Sequence, residues 1–182
     1  MIRRETPIVI NFLGGPGIGK STIAAGTFYE LKRLGINCEL VSEFAKDKVW
    51  EESFKVLDDE LYIFAKQYHK MWRLKDKVDI IVTDSPLILP IYYNKEKSEF
   101  FNDFVLEQFE KFENITILLE RPEEKYHGEG RLQTKDEAKK IDRELEKILK
   151  DFRIPSTIIE RDFAISYVLD TIKSNYPELL QD

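Results

Sequence analysis

The stretch Gly14-Gly15-Pro16-Gly17-Ile18-Gly19-Lys20-Ser21 holds four of the chain's eight glycines. Its spacing is G-x-x-x-x-G-K-[ST], which is the spacing of a loop that holds a nucleotide polyphosphate. Glycine lets the backbone take positive φ or come close to another group. Successive N–H groups can then point inward as an anion cradle, which the positive end of a following helix deepens. In such a loop Lys20 reaches the β- and γ-phosphates and the Ser21 hydroxyl holds Mg²⁺, with Thr22 next in line for nucleotide contact. The plain alternative is a glycine turn between a strand and a helix. An apolar run over 8–13 before the loop, and a helical stretch over 21–34 stopped at Gly35 after it, favour the phosphate reading.

Three more groups stand where strands should end: Glu43, Asp84 and Arg121. Asp84 closes the apolar run 78–83, where a carboxylate can hold Mg²⁺ through water or act as a base facing the γ-phosphate; Asp-Ser-Pro is also a good turn. Glu43 is either a helix N-terminal carboxylate favoured by the dipole or a base for a substrate hydroxyl. The polar segment 120–134 carries Arg121 and Arg131 at its edges and Gly128 and Gly130 inside it. That composition suits a lid over about 121–133, open without nucleotide, which brings guanidinium groups to a transferring phosphoryl group. An ordinary loop capped by Thr134 and Glu137 explains those two residues but not the arginines. His69 and His127 form no metal set with any nearby cluster.

These residues need a scaffold. Short apolar runs at 8–13, 38–42, 78–83, 115–119 and 157–159 alternate with helical stretches at 21–34, 44–75, 98–112, 134–152 and 163–174. Strands alternating with helices predict an α/β fold with a parallel five-stranded sheet and helices on both faces. Leu61, Phe64, Ala65, Tyr68 and Trp72 fall at helical intervals, as do Ala138, Ile141, Leu145, Ile148 and Phe152, and both stripes read as core. At 182 residues, with 42% hydrophobic and 34% charged, the chain reads as a single domain over 1–182. A net charge of −6 argues against sequence-independent binding to long nucleic acid. A single cysteine, Cys38, excludes an internal disulfide and Cys-based metal sites; with no membrane-length apolar run and no signal-peptide core at the start, it leads us to expect a cytoplasmic protein.

The chain resembles the P-loop nucleoside and nucleotide kinases: thymidylate kinase-like enzymes, deoxynucleoside kinases, NadR-like ribosylnicotinamide kinase domains, and small phage P-loop proteins. The likeness runs through GGPGIGKS, the Glu43 segment, Phe64-Ala65-Lys66-Gln67 followed by Arg73-Leu74, the strand end Thr83-Asp84-Ser85, and the arginine lid. It implies a three-layer P-loop NTPase fold with ATP and Mg²⁺, and γ-phosphoryl transfer to a nucleoside or nucleoside monophosphate. It also implies a substrate set of Glu43, Gln67, Arg73 and Asp84, with Glu43 or Asp84 as base and Gln67 facing a nucleobase. Deoxynucleoside kinases end the third strand in Glu-Arg-Ser and thymidylate kinases in Asp-Arg-Tyr, so only Ser85 or Asp84 coincides. Asp84-Ser85-Pro86-Leu87 lacks the Asp-x-x-Gly of a regulatory GTPase. A nucleic-acid acceptor (a 5′ end or a hydroxymethylated base in phage DNA), with Lys46, Lys48, Lys66, Lys70 and Arg73 as its basic groove, and a nucleotide-dependent binding module are the alternatives. A homodimer stays open.

Overall fold

Strand β1 (Ile8–Leu13) is buried at all six positions, as a strand covered by helices on both faces must be. The computed structural model describes residues 4–94, 96–121 and 135–180, with backbone alone for 135 and 136. Around β1 lie β2 (Cys38–Val41), β3 (Ile80–Thr83), β4 (Glu113–Glu120) and β5 (Thr157–Glu160), all parallel, in the order β2-β3-β1-β4-β5. Register sets the site. Thr83 stands opposite both Asn11 and Val41, and Leu13 opposite Leu118, so the carboxyl ends of the central strands open onto one edge.

Helices α1 (Lys20–Arg33) and α7 (Ala164–Asn175) cover one face through Ile23, Leu31, Val168 and Ile172, packed on Ile8, Ile10 and Phe12. The other face carries α3 (Glu60–Trp72), α4 (Leu89–Tyr93), α5 (Glu99–Glu110) and α6 (Lys135–Asp151) over Val9, Leu13 and Ile81. Alternate β1 side chains thus feed two separate cores. No described helix is long and apolar enough to cross a membrane.

The region 44–75 is broken where periodicity alone suggests one bent helix. Helix α2 (Phe44–Trp50) stops as Ser53 N donates to Lys48 O at 2.9 Å and Glu52 takes a left-handed φ of 54°. A 3₁₀ turn (Phe54–Asp58) follows, and Asp59 restarts the chain as α3 by accepting from Tyr62 N at 2.9 Å. The stripe on α3 is also rotated from the expected one: Phe64, Gln67 and Met71 are buried, whereas Leu61, Ala65 and Trp72 are exposed. Sheet contacts placed the core face there, over the local apolar pattern. Helix α4 has no counterpart among the sequence-predicted elements; its Pro90 is tolerated because it sits in the first turn. On α6, Ala138 and Leu145 are buried and Ile141, Ile148 and Phe152 pack against the same core, as the spacing predicts.

Candidate functional site

The loop 14–21 leaves β1 and enters α1 through Gly19, which is the N-cap residue at φ 99° and ψ 18°. A side chain is strained there, and the glycine cap has none of its own to offer the first N–H groups of α1, which face the loop. Ile18, 2% exposed, pins the loop to the core below. Gly14, Pro16 and Gly17 complete the turn, and Ser21 and Thr22 stand exposed on the first turn of α1. Lys20 folds back: its Nζ donates to Gly14 O at 2.7 Å and to Gly15 O at 3.3 Å. Burial pulls the Lys20 ammonium below its ordinary range, against the opposing pull of Glu43, Asp84 and Asp142.

The same edge carries two carboxylates. Asp84, 4% exposed, accepts from Glu43 N at 3.1 Å through Oδ1. Thr83 Oγ1 donates to Val41 O at 2.8 Å and accepts from Ser85 N at 3.1 Å, which ties the ends of β2 and β3 together. Glu43 is half-buried. Desolvation raises its carboxyl above the ordinary carboxylate range; Lys20 opposes this and Asp84 adds to it. Gln67, 3% exposed, donates from Nε2 to Ser85 O at 3.1 Å and accepts from Phe44 N at 3.0 Å. Both ends of its carboxamide therefore hold backbone at the β3 and α2 junctions.

Beside Glu43 opens a pocket of about 570 Å³ between α2, α3 and α4. Val49, Trp50, Leu57 and Leu89 supply apolar wall, and Glu43, Lys46, Glu60, Gln67 and Tyr93 supply polar groups. The Tyr93 hydroxyl is pushed up to about 12, chiefly by burial. Sequence reasoning missed Trp50 and Tyr93, because neither belongs to a motif and the break after α2 and the helix α4 that carry them were not expected. Arg73 sits exposed at the C-cap of α3, outside the pocket lining. Arg131, Thr134 and most of the lid 121–133 lie outside the described residues.

Arg121 lies at the loop, engaged by protein. Its Nε donates to Asp142 Oδ2 at 2.6 Å and its Nη2 to Pro16 O at 2.7 Å, while Asp142 Oδ1 accepts from Gly15 N at 2.5 Å. A Cβ on Gly15 would stand 2.8 Å from Ala138 O, 2.9 Å from Asp142 Oδ1 and 3.0 Å from Arg121 Nη2. Glycine is needed here for close approach of α6. Gly15→Ala is expected to lower stability by about 1–3 kcal/mol through overpacking, since the Ala138 carbonyl is helix backbone and cannot swing aside; urea unfolding measures it, and an unchanged midpoint would show that α6 yields.

The sequence pattern of the family described as AAA domain matches residues 9–164. No curated protein matches. Among solved structures, a NadR protein in complex with NR is similar at a TM-score of 0.68 and 17% identity, over 93% of this chain and 51% of that one. A thymidylate kinase from Ehrlichia chaffeensis follows at 0.60 and 17%, over 92% and 99%. A deoxyadenosine kinase from M. mycoides gives 0.53 and 16%, over 91% and 99%. At these identities the likeness is one of fold, and the chain spans about half the length of the NadR chain.

Proposed function

The chain belongs to the AAA domain family, and on that premise we propose that it is an ATP- and Mg²⁺-dependent phosphotransferase that moves the γ-phosphoryl group to a nucleoside or nucleoside monophosphate. The observation that carries the reading is Glu43: it lines the 570 Å³ pocket and is close enough to Lys20 for each charge to shift the other's titration. An acceptor in the pocket would thus meet a base beside the phosphate loop. The loop from Gly14 to Thr22 wraps the polyphosphate, with backbone N–H groups from Gly17 onward as its donors, and Lys20 neutralises charge on the transferring group. Glu43 takes the proton of an attacking hydroxyl, while Asp84 fixes the backbone that carries Glu43. A phosphate acceptor needs no such base and would be repelled by both carboxylates, so a hydroxyl acceptor fits better.

Ser21 and Asp84 offer hard oxygen donors for Mg²⁺, and among the described residues no group of three or more His, Cys, Asp or Glu could hold an ion. Few protein ligands are what this ion needs when phosphates and water complete its shell. When bound, it supplies charge neutralisation at the β- and γ-oxygens. We further read 1–182 as one catalytic domain acting in the cytoplasm, with 121–133 as its lid and Arg131 on it. A nucleic-acid acceptor draws little support from the basic residues of α2 and α3, since Lys48 pairs with Glu51 at 2.5 Å and Lys70 with Asp47 at 3.6 Å.

The test is transfer of radiolabelled γ-phosphate from ATP across nucleosides (ribosylnicotinamide among them), monophosphates and oligonucleotides, with and without Mg²⁺. Label on a nucleoside-class compound, dependent on Mg²⁺, is expected. ATP retained without transfer to any acceptor would leave a binding module in place of a kinase.

A further inference from the structure

Helix α6 carries many charges, and six of them pair along the helix: Lys140 with Glu144, Glu146 with Lys150, Lys147 with Asp151, all at i,i+4. Those side chains are 35–73% exposed. Asp142 differs. It is 21% exposed and pairs across the fold with Arg121, itself 14% exposed. Its two oxygens are divided, Oδ1 on Gly15 N and Oδ2 on Arg121 Nε, and Arg121 closes the ring on Pro16 O. The Gly15 peptide is therefore held at its N–H by Asp142 and at its carbonyl by Lys20. Gly15 admits no Cβ because these same atoms crowd it.

We propose that Asp142 is a positioning residue: it sets the Arg121 guanidinium against the rim of the phosphate loop and balances its charge. The proposal rests on reading the loop as a nucleotide site. Residues Gly15 and Pro16 are taken up by this brace, so the N–H groups from Gly17 onward are left to the polyphosphate. Arg121 keeps further N–H donors beyond the two committed ones, in a fixed plane. A bound anion meets Arg121 and Asp142 as a neutral pair, which limits ground-state attraction, while the fixed guanidinium is ready for charge that develops during transfer. A pair this well shielded has more electrostatic weight than the exposed i,i+4 pairs on the same helix.

Asp142→Asn separates these effects, because its amide oxygen still accepts from Gly15 while the negative charge is lost. Nucleotide binding is measured by calorimetry with ADP alone, and transfer by initial rates. In Asp142→Asn the unbalanced Arg121 tightens ADP binding about threefold to tenfold, while kcat falls about tenfold as the guanidinium loses its fixed plane. Arg121→Met weakens ADP binding about tenfold by leaving Asp142 unpaired beside the anion, and the double variant returns towards the wild-type affinity. The singles thus move affinity in opposite directions. A structural residue would do otherwise, so weaker or unchanged ADP binding in Asp142→Asn overturns the proposal. If Asp142→Asn does not fold, Arg121→Met and the double variant read the same pair, and a double variant no better than Arg121→Met also overturns it. A wild-type protein that binds ADP and transfers to nothing would refute the kinase reading alone, with the binding cycle still deciding the role of Asp142.

Discussion

If the chain is the phosphotransferase proposed above, Lys20→Ala is expected to abolish phosphoryl transfer, by about a thousandfold or more, in a protein that folds as before. The size follows from the role: Lys20 is the cation already inside the loop, and removing one preorganised charge or donor from a reacting group costs on that order. Its present bonds are to the carbonyls of Gly14 and Gly15, so without nucleotide the ammonium stabilises the loop's own shape and little else. Stability should not fall with it. Burial lowers the Lys20 pKa below its unfolded value. Its charged form is therefore disfavoured on folding at any pH below the ordinary lysine range, and alanine removes that penalty. The unfolding midpoint at neutral pH should match or exceed that of the wild type. Turnover within tenfold of wild type would move the chemistry to another part of the protein.

What the sequence made legible has a physical boundary. The placement of the loop 14–21 and of the carboxylates at 43 and 84 just past strand ends could be read because each position is tied to a local constraint: glycine spacing, a strand end, a turn. The parallel sheet could be read for the same reason, from apolar runs too short for helices. The pocket could not. Trp50 and Tyr93 come together only through the break at Glu52 and the short helix α4, and neither is encoded by periodicity. Asp142 is invisible in the same way, because on a helix dense with charge only the tertiary contact separates it from its neighbours. Gln67 is the instructive middle case. The resemblance marked the residue as one facing a nucleobase, while its buried hydrogen bonds to Phe44 N and Ser85 O give it a structural job that no motif states.

Glu43→Gln tests the chemistry most directly. If Glu43 accepts the acceptor's proton, the amide variant loses about a hundredfold to ten-thousandfold in kcat, with ATP affinity little changed, because the phosphate loop is untouched. Two pH signatures accompany the loss. Desolvation raises the Glu43 pKa, so wild-type kcat climbs with pH through a midpoint above the ordinary carboxylate range, and the glutamine variant lacks that limb. The stability sign is opposite. A carboxyl whose folded pKa lies above its unfolded value contributes stability that is present below the unfolded pKa and lost as pH rises through the folded one. Above that window the wild type holds a desolvated carboxylate, and Glu43→Gln removes it, so the variant should unfold at a higher temperature than wild type at pH 8, with the difference closing as pH falls into the carboxylate range. Mutation of Asp84 to Asn keeps the bond from Glu43 N, because an amide oxygen can still accept it, and so isolates the loss of the second carboxylate from any loss of that brace. A glutamine variant that is inactive but also less stable at pH 8 would mean that Glu43 braces the fold, and the base would then have to be sought at Asp84.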